Sequence, residues 1–89
     1  MVKKMRLAEP KKLQRRLEVK KGRKWVPWES DPITNPSDVY ATFASDLVAY
    51  YFENSPRIVG VERSDNLDGT MDYGVIYRDG RRAVYTVEI

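Results

Sequence analysis

Lys20-Lys21-Gly22-Arg23-Lys24 places four cations around one glycine, and Trp25 and Trp28 follow at once. Cations clustered at a turn neutralise phosphates, and the counterions they displace make such binding fall steeply with salt. Aromatic rings beside them stack on bases or on unpaired strand ends. Upstream lie Arg15 and Arg16, so residues 1–24 hold eleven Lys/Arg against Glu9 and Glu18, a net +9, while the rest of the chain carries −6. A split of this kind points to an electrostatic partner for the basic part. The expected nucleic-acid contacts are therefore Arg15, Arg16, Lys20, Lys21, Arg23, Lys24 and Trp28, with nucleic acid or a ribonucleoprotein as the partner. Trp25 is expected in the core beneath a helix.

Other chemistry is sparse. The chain has no cysteine and no histidine, which removes thiolate and imidazole nucleophiles, bases and metal ligands together. Glu29 with Asp31, or Asp46 with Glu53, would be the acid–base pairs, but the latter two stand two helical turns apart and no environment that raises a carboxylate pKa is readable around them. Asp65, Asp68 and Asp72 lack the alternating acidic spacing and distal Glu of a calcium loop. They read as turn residues bonding their own backbone. A non-enzymatic protein without cofactor or metal is the expectation. The rival function is a protein-binding regulator, an inhibitor of a nucleic-acid-handling enzyme of the mobile-element accessory type. It would engage a basic cleft through Asp65, Asp68, Asp72, Asp79 and Glu88.

The elements that must position these residues centre on Asn35 to Asn54. Asn35 is an N-cap, Pro36 suits the first helical position, and Asp38 lies near the positive end of the dipole. Val39, Phe43, Leu47 and Tyr50 form one apolar stripe, with Tyr40, Ala44, Val48 and Tyr51 a second beside it; both are expected to bury against a sheet. Asn54-Ser55-Pro56 ends the helix. Ahead of it, the alternation from Arg16 to Lys20 predicts a strand with Leu17 and Val19 inward, a helix over 10–20 being the competing reading. Gly22 then turns the chain into a return strand at Trp25, which Pro27 confines to a sheet edge.

After the helix, the short apolar run Arg57 to Arg63 predicts an interior strand. Met71 to Ile89 reads as a hairpin with a three-residue loop, Arg78-Asp79-Gly80, because that register alone sets Met71, Tyr73, Val75, Ala83, Tyr85, Val87 and Ile89 on one face. The result is an α+β domain, β-β-α-β-β-β, over residues 11–89, with one helix on one face of a small antiparallel sheet and residues 1–10 a mobile basic arm. The opposite face, with Asp72, Ile76, Arg82, Val84 and Thr86, is plain surface or a platform for a partner. No apolar run is long enough to span a membrane, and a soluble cytoplasmic protein is expected. The alternating C-terminal strand, if it lies at the edge, would support a weak dimer of an otherwise monomeric protein.

Overall fold

Gly22, at φ 64°, makes the tight turn that brings Lys24 opposite Lys21 and zips β1 (Gln14–Lys21) against β2 (Lys24–Pro27). The computed structural model describes residues 13–29 and 31–88; the N-terminal arm, residues 1–10, lies outside them, as does Ile89. Asn35 caps α1 (Pro36–Tyr51), its side-chain oxygen accepting the Ser37 N–H at 2.8 Å. Asn54, at φ 51°, turns the chain out of the helix, where its short polar side chain tolerates left-handed backbone. Three strands complete the order: β3 (Ile58–Asp65), β4 (Thr70–Tyr77) and β5 (Arg81–Glu88). Every pairing is antiparallel, and the helix packs on one face against β3 and β1. The α+β architecture is the one the sequence predicts. No helix among the described residues is long and apolar enough to cross a membrane.

The strand order is β2-β1-β5-β4-β3, and it corrects two expectations. β3 is an edge strand, with β4 on one side only, because the N-terminal hairpin joins the sheet through β5 instead. β5 is the central strand: Arg82 to Thr86 pairs with β1 and β4 together. Its backbone groups are spent on both sides, so this stretch offers no edge for the dimer expected through the last strand.

The β4–β5 register is the one expected, with Met71 opposite Val87, Tyr73 opposite Tyr85 and Val75 opposite Ala83. Gly80, at φ 94°, supplies the left-handed residue of that loop, and no atom lies within 4 Å of where its Cβ would stand. Gly80→Ala should therefore cost backbone strain alone, about 1–2 kcal/mol. A thermal melt reads this as a fall of roughly 4–8 °C per kcal/mol for a domain of this size.

The core is narrower than the helix's apolar surface suggests. Leu17, Val39, Ala49, Ile58, Val75, Ala83 and Tyr85 are buried in one cluster, with Phe43 set on Tyr85 at 4.8 Å between ring centroids. The second helical stripe is not buried: Tyr40, Val48 and Tyr51 stand exposed, because a single helix over this sheet touches it along one line. The tryptophans are also exchanged relative to expectation. Trp25 lies opposite Lys20, on the face away from the helix, whereas Trp28 packs against the core cluster.

Candidate nucleic-acid interface

Antiparallel pairing carries the two hairpin turns to the same end of the sheet. Lys21 pairs with Lys24 at the tip of the first, and two residues back Val19 lies opposite Arg81, which opens β5 just after the second turn. Arg57 joins them, since its carbonyl accepts the Arg78 N–H at 2.9 Å. This end thus gathers Lys20, Lys21, Arg23 and Lys24 from one turn with Arg78 and Arg81 from the other. Asp79 is the carboxylate among them, and Arg81 donates to it from Nε at 2.8 Å. That bond holds the Asp79 carboxyl below the usual carboxylate range. The opposite end carries the β3–β4 turn with Asp65 and Asp68. Arg57, Arg78 and Arg81 were not among the expected site residues, because they belong to the part of the chain with net negative charge. The signal that would have found them is the Arg78-Asp79-Gly80-Arg81-Arg82 run at a hairpin turn.

Between β1, the β4–β5 turn and the loops that flank α1 opens a cleft of about 500 Å³, lined by Arg15, Leu17, Pro32, Arg57, Tyr77, Arg78, Asp79 and Arg81. Arg15 was expected to meet phosphate on the surface, but its side chain is only 6% exposed. Its Nε donates to Asp31 at 2.9 Å and its Nη1 to the Tyr85 hydroxyl at 2.7 Å. Tyr85 in turn donates at 3.2 Å to Asp46, a helical carboxylate that is 3% exposed. Asp46 also accepts from the Tyr77 hydroxyl and, at 3.2 Å, from Arg57. The network Asp31–Arg15–Tyr85–Asp46 ties β1, β5 and α1 together beneath the cleft, with its charges paired. The carboxylates considered for acid–base work are engaged otherwise: Asp31 serves Arg15 and the Ile33 N–H, and Asp46 is buried while Glu53 is exposed.

The face away from the helix is a lattice of ion pairs. Arg82 donates to Glu18 from Nε and Nη2 at 2.9 and 2.6 Å and reaches Glu62 at 3.4 Å. Arg16 lies between Glu18 and Asp72 at 3.4 and 3.7 Å. The charge of Arg16 is thus answered within the protein, which sets it apart from the turn lysines. Gly74 lies under the lattice: a Cβ there would touch the Arg82 stem at 3.4 Å and the Glu62 carboxylate at 3.5 Å, ordinary van der Waals distances. Trp25 lies under this face's cations, with Arg82 at 4.4 Å and Lys20 at 5.0 Å from its ring centroid. Trp28, the expected base-stacking residue, is held between the core and the Arg81 guanidinium at 4.5 Å, and its backbone N–H donates to the Leu17 carbonyl at 2.8 Å.

Most of the acidic set is engaged locally. Asp65 accepts the Leu67 N–H at 2.8 Å, and Asp68 accepts both the N–H and the hydroxyl of Thr70 at 3.0 and 2.6 Å. The Thr70 bonds keep the Asp68 carboxyl below its ordinary value. At Asp72 burial works against the charge, but bonds from Thr86 at 2.7 Å and Asn66 at 3.0 Å, with Arg16 nearby, outweigh it. Glu88 is exposed at the end of β5. Comparison of the chain with protein-family models, with curated protein sequences and with solved structures finds no match.

Proposed function

We propose that the protein is a small non-enzymatic nucleic-acid-binding module of the cytoplasm, contacting the phosphate backbone through the basic end of its sheet. The observation that carries this reading is the convergence of two hairpin turns, which sets Lys20, Lys21, Arg23, Lys24 and Arg78 on one end with Asp79 as the carboxylate between them. The turn lysines and Arg23 are exposed, and among the described residues none of them forms an ion pair. They are the cations a phosphate meets at least cost in desolvation.

Fluorescence polarisation with duplex and single-stranded DNA and RNA over a range of salt tests the proposal. Five backbone contacts give a slope of log affinity against log salt of about −4 to −5 on duplex, and Lys21→Glu, Arg23→Glu and Lys24→Glu together should remove about three units of it. No binding to any of the four at low salt, or binding indifferent to the charge reversal, would refute it. The rival reading, a regulator that docks on a basic protein cleft through Asp65, Asp68, Asp72, Asp79 and Glu88, has less support because four of these five already accept local hydrogen bonds. A stoichiometric protein partner retained after nuclease treatment would favour it.

A further inference from the structure

We infer that the arginine-lined cleft beside the β4–β5 turn takes a terminal phosphate monoester of a nucleoside, so that the protein reads the phosphorylated end of a strand; this rests on the nucleic-acid reading above. Exposed turns touch an internal phosphate wherever it lies along the strand. A concave cleft does not: an internal diester has chain on both sides, and only a strand end or a mononucleotide enters without a sharp bend. The volume, about 500 Å³, is that of a small-molecule site.

The chemistry of the lining fits a dianion. Arg15 is fixed by Asp31 and Tyr85, which orients its guanidinium at the floor before any ligand arrives. Arg57 touches Asp46 through one contact of 3.2 Å, and Asp46 keeps both the Tyr77 and Tyr85 hydroxyls as donors. Arg57 spends only Nη2 on Asp46, so its other guanidinium donors can meet an incoming anion while the buried carboxylate keeps its cation. Arg78 forms no ion pair among the described residues, whereas Arg81 is shared with Asp79 at the rim. Leu17, Pro32 and the Tyr77 ring give the same cleft an apolar wall for a sugar or base. A monoester presents about −1.5 to −2 charge and three terminal oxygens to these guanidinium groups, more than the single charge of a diester.

The test compares one single-stranded oligonucleotide with a 5′-phosphate, a 3′-phosphate or hydroxyls at both ends, beside a nucleoside 5′-monophosphate alone. One phosphorylated form should bind about tenfold tighter than the hydroxyl form, the scale of one added charge-assisted hydrogen bond. Arg57→Gln and Arg78→Gln should each erase that preference, while Lys21→Glu with Arg23→Glu and Lys24→Glu weakens all strands alike and preserves the ratio. Among the described residues Arg78 bonds through its backbone N–H and not its side chain, so its variant keeps the test valid if Arg57→Gln misfolds. Equal affinity for phosphorylated and hydroxyl strands overturns the cleft assignment and leaves the backbone reading standing. Binding of the mononucleotide, lost in Arg78→Gln, without binding of any strand supports the cleft and overturns the backbone reading. Binding of nothing overturns both.

Discussion

Arg15→Met is expected to destabilise the protein by about 3–5 kcal/mol, the cost of breaking a buried ion pair by removing one partner. Methionine keeps much of the apolar stem, so the loss isolates the guanidinium. Without it, the Asp31 carboxylate, 15% exposed, faces no cation, and the Tyr85 hydroxyl loses its donor at the centre of the sheet. Adding Asp31→Asn removes the uncompensated charge while retaining an acceptor for the Ile33 N–H, and should recover about half of the loss. Thermal and urea denaturation measure both variants. A melting temperature within a few degrees of the parent for Arg15→Met would show that the buried network contributes nothing and return Arg15 to the surface contacts.

That arginine shows where the chain's pattern was legible and where it was not. Arg15, Leu17 and Val19 share one parity along β1, so the alternation that turns Leu17 and Val19 inward turns Arg15 inward too; its charge hid a position the period already specified. The same parity argument applies to Trp25. A tight turn at Gly22 puts Lys20 opposite Trp25, hence on the outer face, and only the wish to bury an aromatic argued otherwise. The β4–β5 register was readable because a slip of one residue would have exposed Val75, Ala83 and Tyr85 together. Strand order was not readable, since nothing local in β5 distinguishes an edge from a centre, and β3 is apolar on both sides for reasons other than an interior position: Ile58 meets the core, while Val59 sits in an irregularity of the pairing and stands exposed. The basic end escaped for the same reason. Counting charge by segment separates Arg78 and Arg81 from the lysines of the first turn, and only the pairing of β1 with β5 brings them together.

Alkaline unfolding between pH 10 and 12 is the remaining large effect, and it comes from the two phenols that share Asp46. Burial, and then the Asp46 carboxylate, push the Tyr77 hydroxyl from 10 up to about 12. Burial, and then Tyr77, push that of Tyr85 up as well, with Arg15 acting against the shift. Both groups hold their protons in the folded state at a pH where the unfolded chain releases them. The stability they contribute is therefore complete below pH 10, the unfolded value, and is lost as pH rises through the folded values. Each phenol costs about 1.4 kcal/mol per unit above pH 10 while it stays protonated, so the pair removes roughly 4–5 kcal/mol by pH 12. That is the size of the whole stability of a small domain, about 5–10 kcal/mol at neutral pH. Urea denaturation at unit steps from pH 8 to 12 should show a plateau and then a fall of roughly 2 kcal/mol per unit, accompanied by tyrosinate absorbance that appears with unfolding. Tyr77→Phe should halve the slope in the first unit above pH 10, and Tyr77→Phe with Tyr85→Phe should flatten it even though the doubly substituted protein starts less stable, with Arg57 left as Asp46's donor among these three. A stability that does not change from pH 10 to 12 in the parent protein would remove the buried carboxylate–tyrosine cluster from the account of what holds α1 to β4 and β5.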